Sequence, residues 1–250
     1  DHFFGLMGLL ATMGMQQRSE PVTVVGPEGV EQTVVDVMEK GNHTPSFPLE
    51  FKELPPDFSH GIIYQNADYY VEAHALDHRI FTVGYRYQER DWPGRIDAER
   101  ARELGIREPR QFQALQDGES VTVENGRTVE ADEVVGPARP GAAFAYVTDT
   151  RPCAGGIHLA REAALVYHEA TFAEDLRERA RETGHSTARE AGEVAAKAEA
   201  DRLLLGHFSA RYASTTLLEQ QARETFAPVE AAEELHSYTI PAYFGEASVE

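Results

Sequence analysis

The chain carries one cysteine, Cys153, among 250 residues, so an internal disulfide framework is excluded. That scarcity favours a reducing compartment, and the cytoplasm is the expected location. No stretch approaches the ~20 uninterrupted apolar residues that a bilayer-spanning helix needs. The opening DHFFGLMGLLATMGM has a charge at its head and no basic flank, which makes it a poor signal peptide, and no membrane partner is expected. Lysine is nearly absent: only Lys40, Lys52 and Lys197 occur, and every other basic residue is arginine. The 42 acids against 23 bases give a formal net charge of −19. Such a surface repels polyanions at ordinary ionic strength. Concentrated salt, with a screening length of about 3 Å at 1 M, would remove most of that repulsion.

What is present suits one α/β domain with a sizeable core, since 42% of the residues are apolar. The periodicity predicts a helix from Phe3 to Met15, a short strand in VTVVGPEGV and a helix running to Lys40. Extended segments follow near Leu49–Leu54, Gly61–Tyr64 and Tyr69–Ala75, then a strand in IFTVGYRYQ. Residues 89–141 differ in texture, being rich in charge, Gly and Pro, with a hairpin signal at ENGR and few residues suited to a core. They read as an inserted arm. The body, residues 1–88 and 142–250, resumes with strands AAFAYVTD, AALVYHEA and RLLLGHF alternating with helices, and a last strand is expected near HSYTI. This order predicts mixed sheets covered by helices.

Several polar residues stand where strands run out. His78 precedes a strand, Asp149 follows one in YVTDTR, and His207 ends the apolar LLLGHF. His185 stands before a helix that Ser186 or Thr187 can cap. Each taken singly is an ordinary structural residue. Together, with Asp1 and His2 ahead of the first helix, they form a rim of imidazole and carboxylate suited to Zn²⁺ or Mn²⁺.

The segments DHFFGLMGLL, ALDHR with GYR, DTRPC, HEATF, GHSTAREA and HFSARY resemble, in order, the landmarks of ribonuclease Z, an endoribonuclease of the metallo-β-lactamase fold. The resemblance implies an αββα sandwich and two Zn²⁺ per subunit, with Mn²⁺ as the alternative. Asp1, His2, His78, Asp149 and His207 would be the metal ligands, with Asp149 bridging. Asp1 would be the general base and His185 the proton donor. Glu169 is a candidate partner that orients His185, and a purely structural strand-end role for His168 and Glu169 stays open. The substrate would be precursor tRNA, cut to leave a 3′-hydroxyl on the tRNA and a 5′-phosphate on the trailer. Thr187, Ser209 and Arg211 would meet its phosphates. GPARPG, with Gly136, Pro137, Arg139 and Gly141, matches the family's flexible tRNA-binding arm. A homodimer is implied, one subunit's arm serving the other's site.

There are departures. The fold's H-x-H-x-D-H signature is represented only by Asp1 and His2, so its first two histidines and the N-terminal strands are expected upstream. Thr148 stands where the family commonly has Gly. Between Arg86 and Arg139, nine Arg face twelve acids, so the arm itself is acidic. The competing readings are another hydrolase of the same fold, such as a phosphodiesterase or thioesterase, and a catalytically inactive RNA-binding chain.

Overall fold

Alternating apolar segments collapse into four layers in a computed structural model that describes residues 2–240. The first layer is a helix pair, α1 (Gly5–Met15) and α2 (Val30–Lys40). It covers the parallel strands β1 (Val22–Pro27) and β2 (Leu49–Leu54). Leu10, Val34, Met38 and Phe47 form the core between them, with Val22, Leu49 and Phe51 packed against it. Helix α2 has no capping side chain of its own. Instead the Glu53 carboxylate of β2 accepts the free amides of Gly29 and Glu31, at 2.8 and 3.0 Å.

The other face of this small sheet lies on a larger one. Leu54 and Val25 meet Ala73, Val83, Ile63 and Tyr85 there. The large sheet contains β3 (His60–Gln65), β4 (Tyr69–Ala75) and β5 (Val83–Glu89), an antiparallel meander. After the arm come β8 (Ala143–Val147), β9 (Leu165–Glu169), β10 (Leu203–Gly206) and β11 (Val229–Ala231), all mutually parallel. The strand order is β11-β10-β9-β8-β5-β4-β3, with β5 antiparallel to β8.

Parallel neighbours need crossovers, and these supply the outer layer. Helix α5 (Ala154–Ala160) joins β8 to β9, α6 (Arg177–Thr183) and α7 (Ala188–Lys197) join β9 to β10, and α8 (Thr216–Arg223) leads to β11. Alanines 188, 191 and 195 on α7 are fully buried against Val166, Leu203 and Leu205, because small side chains let the helix lie close to the sheet. Truncating Leu205 to Ala there would cost about 2–5 kcal/mol. No helix among the described residues is long and apolar enough to cross a membrane.

Residues 89–141 depart from expectation in one respect. They have a core of their own, in which Ala101, Leu104, Ile106, Leu115, Val123, Val129 and Val134 are buried. Helices α3 (Ala98–Glu103) and α4 (Pro109–Gln116) and the hairpin β6 (Val121–Thr122) with β7 (Thr128–Val129) build it. The apolar residues are scattered among charged and polar ones, so no periodic run betrays them. The last strand is also displaced from its expected place: β11 is Val229–Ala231, and HSYTI carries no strand. There the Tyr238 hydroxyl turns back to accept the Glu233 amide at 2.8 Å, just past β11.

Candidate active site

The carboxyl ends of β8, β9 and β10 deliver Asp149, Glu169 and His207 to one edge of the large sheet. Loops gather ligands at that edge in open α/β sheets because the strands diverge there and the backbone is free to turn. Asp149 and His207 both take left-handed backbone conformations, with φ of 51° and 55°. Such turns cost of order 1–3 kcal/mol in a residue with a Cβ, although Asp and His tolerate them better than most. Here they swing both side chains inward.

Three side chains then converge. His2 Nε2 lies 3.0 Å from Asp149 Oδ2, and His207 Nε2 lies 3.3 Å from Asp149 Oδ1. The two imidazole Nε2 atoms are 3.2 Å apart. Two nitrogens bound at about 2.0–2.1 Å to one tetrahedral ion would stand about 3.4 Å apart, so this spacing fits a divalent metal. His207 is also in the correct tautomer. The Thr171 hydroxyl donates to Glu169 Oε2 at 2.6 Å, so its contact with His207 Nδ1 at 2.8 Å is an N–H donated by the ring. That leaves a lone pair on Nε2. Burial moves the His207 imidazole below its ordinary pKa, which keeps it neutral.

Glu169 has the opposite character. Its side chain is 0% exposed and accepts four hydrogen bonds. The Thr150 amide and His185 Nδ1 meet Oε1 at 2.5 and 3.1 Å, and the Ser186 amide and Thr171 hydroxyl meet Oε2. Burial pushes this carboxyl up, but the bonds from His185 and Thr171 outweigh it and hold it below the ordinary carboxylate range. With its lone pairs spent, Glu169 orients neighbours and is a poor metal ligand, although one of its oxygens lies within 4.8 Å of ligand atoms from Asp149, His185 and His207. The bond to Glu169 raises His185 above the usual imidazole value, against the opposing effect of burial.

His78 flanks the cluster from the β4–β5 turn, its ring 5.1 Å from that of His185. Its Nδ1–H donates to the Gly184 carbonyl at 2.7 Å, leaving Nε2 available. Gly184 has φ +78°, and an added Cβ would fall 2.7 Å from His78 Nδ1, so only glycine permits the contact. Asp1 lies outside the described residues.

The expected phosphate contacts divide. Ser209 and Arg211 lie at the rim, where the Arg211 Nε donates to Ser209 Oγ and its guanidinium covers the Phe172 ring at 5.0 Å. Thr187 does not reach it. Its side chain is buried, accepts the Glu190 amide as the cap of α7 and donates to Glu174 at 2.9 Å. Gly136, Pro137, Arg139 and Gly141 are in the stem of the arm, which leaves β5 and enters β8 at the edge opposite the cluster. Arg139 and Trp92 exchange backbone hydrogen bonds there. Gly141 is buried, and a Cβ would sit 2.3 Å from the Glu89 carbonyl, so this glycine serves the close approach of two segments of the chain.

Two supports went unread in the sequence. Thr171, inside HEATF, ties Glu169 to His207. Arg151, inside DTRPC, donates to both Glu190 oxygens at 2.7 and 2.9 Å and to the His185 carbonyl. This pair fastens the His185 loop to the end of β8. Position within a recurring polar motif was the only available signal for either.

No family model matches the chain. It is 51% identical over 241 residues to Ribonuclease Z from Salinibacter ruber, covering 96% of this chain and 75% of that protein. It is 43% identical over 228 residues to Ribonuclease Z from Halorubrum lacusprofundi, covering 90% and 72%. The crystal structure of the short form of human tRNase Z superimposes with a TM-score of 0.63 at 25% identity, over 96% of this chain and 74% of that one. A metallo-β-lactamase-fold protein from Bacillus subtilis gives 0.56 at 15% identity and shares the fold. The helix–sheet–sheet–helix layers, the ligand edge and these identities converge: the chain belongs to the ribonuclease Z family, endoribonucleases of the metallo-β-lactamase fold.

Proposed function

We propose that this chain is a zinc-dependent endonuclease that removes the 3′ trailer from precursor tRNA, leaving a 3′-hydroxyl on the tRNA and a 5′-phosphate on the trailer. The observation that carries this reading is the convergence of His2, Asp149 and His207, at 3.0–3.3 Å from one another, beside the His185–Glu169 pair. Asp149, His2 and His207 would hold one ion together with Asp1, and His78 would contribute to a second that Asp149 bridges. A pair of divalent ions supplies an acidified water and charge neutralisation at the scissile phosphate.

The chain's own residues do the rest. Asp1 accepts the proton of the attacking water. Attack on phosphorus breaks the bond to the 3′-oxygen, and His185, held through Nδ1 by Glu169, delivers a proton from Nε2 to that oxygen. Arg211 and Ser209 receive the neighbouring phosphates. The arm is rooted at the opposite edge from the cluster of its own chain, which supports a homodimer whose arms grip the tRNA by shape and backbone.

The test is cleavage of a precursor tRNA bearing a 3′ trailer, with Zn²⁺ or Mn²⁺ and after chelation, followed by end mapping. A tRNA 3′-hydroxyl and a trailer 5′-phosphate, both lost on chelation, are expected. A generic phosphodiester cleaved faster than the precursor would overturn the substrate assignment.

A further inference from the structure

A second gathering of histidines lies on the outer face of the large sheet, the face that α5 covers. His60 on β3 and His74 on β4 are directly paired across the two antiparallel strands, and their ring centroids are 5.2 Å apart. The ring of His158, on α5, is 5.3 Å from that of His74. Glu72, two residues before His74 and therefore on the same face, accepts a hydrogen bond from His158 Nε2 at 3.2 Å. Gly155 makes this possible: a Cβ there would come within 2.6 Å of His74 Nδ1 and 2.3 Å of the Ala75 carbonyl. Without one, α5 settles onto β4 and presents His158, one turn later, beside His74.

Each ring has one nitrogen engaged and one left over. His74 Nδ1–H donates to the Ala75 carbonyl at 3.1 Å, leaving a lone pair on Nε2. His60 Nδ1 contacts the Ser59 hydroxyl at 3.2 Å, leaving Nε2. His158 turns Nε2 to Glu72, leaving Nδ1. A carboxylate behind a ligating imidazole is a recurring support for transition metals. Two imidazoles on one tetrahedral ion, bound at about 2.0–2.1 Å, place their ring centroids roughly 5 Å apart. The His60–His74 and His74–His158 spacings, which share His74, match that figure. His60 and His74 are nearly parallel, at 18°, so closure on an ion requires a turn about the histidine χ2, a soft torsion.

We infer that His60, His74 and His158, with Glu72 holding His158, form a solvent-facing site for a borderline divalent metal of the Zn²⁺, Ni²⁺ or Cu²⁺ class, separate from the catalytic centre. Its ligands are neutral nitrogens, so hard oxygen-seeking ions such as Mg²⁺ are not bound. Nothing in this assignment depends on the proposed substrate.

The experiment compares the full chain with a His60→Ala/His158→Ala double variant. Both are dialysed against free Zn²⁺, metal per chain is counted by atomic emission, and Ni²⁺ is titrated while the imidazole resonances are followed by NMR. Melting curves in chelator establish that the variant folds as the parent does, as its two altered side chains are partly or largely exposed. If the variant fails that control, His60→Gln and His158→Gln singly take its place. The expected result is loss of one Zn²⁺ per chain, together with selective broadening by Ni²⁺ of the His60, His74 and His158 signals in the parent. Equal zinc contents, or broadening confined to His2, His78, His185 and His207, would overturn the site.

Discussion

The two histidine clusters of this chain sit on one sheet and differ in what stands behind each ring. At the carboxyl edge, His207 leans on Thr171, His185 on the fully buried Glu169, and His78 on the Gly184 carbonyl. Asp149 lies among the nitrogens there and draws ligand atoms to 3.0–3.3 Å of one another. On the outer face, the supports are a serine hydroxyl, a neighbouring carbonyl and a partly buried Glu72, and the successive rings stand 5.2–5.3 Å apart. Buried, charge-assisted bracing pre-orders the first cluster; exposed, mostly neutral bracing leaves the second to be ordered by whatever binds it.

That contrast breaks most sharply in the first cluster. His207→Ala removes a nitrogen that no neighbour replaces, and precursor cleavage should fall below detection with loss of bound metal; a variant that still cleaves and retains its metal would show that the edge is not the catalytic centre. Glu169→Gln comes next. An amide offers an N–H₂ to donors that need acceptors, so stability should drop by about 1–3 kcal/mol, and kcat by about 10–100-fold. Chemical denaturation and steady-state cleavage, read on the same preparation, check both, and an unchanged kcat would reduce Glu169 to a structural residue.

Thr171→Val tests bracing alone. The shape is kept while the hydroxyl shared by Glu169 and His207 is lost, and metal affinity should weaken by about tenfold. His158→Ala should do far less to the protein without metal, about 0.5 kcal/mol or under, because its side chain is half exposed and holds a single polar contact, with Glu72. Precursor cleavage by that variant should match the parent. The smallest expected change concerns salt. With a net charge of −19, the chain gains little electrostatic attraction to RNA, so cleavage should vary only severalfold between low and molar KCl. A collapse as salt rises would instead reveal a dense basic surface that the composition conceals.

How far the residues could be read depended on the scale of the signal. Asp149, His185 and His207 were legible because each interrupts an apolar strand or precedes a helix, and a polar residue at such a point either caps, turns or binds. Glu169 was legible as a partner of His185, yet its four donors come from three separate segments. Thr187 misled for the same reason: a threonine before a helix looks like an open N-terminus, and only packing shows Glu174 and Glu190 occupying it. The core of the arm stayed hidden because Ile106, Leu115 and Val129 are far apart in sequence and meet only after α3, α4 and the hairpin have formed.

Local order was thus decided by the chain alone: periodicity placed most helices and strands, because amphipathic spacing acts over a single turn or pleat. The order of polar motifs likewise announced a metal-binding hydrolase before any fold was in view. Which nitrogen of each imidazole is free, which carboxylate lies among the imidazole nitrogens and which is taken up by bracing donors, and where a second set of histidines comes together were decided by tertiary structure. Those outcomes depend on distances between groups as many as 205 residues apart, and such distances exist only once the layers have packed.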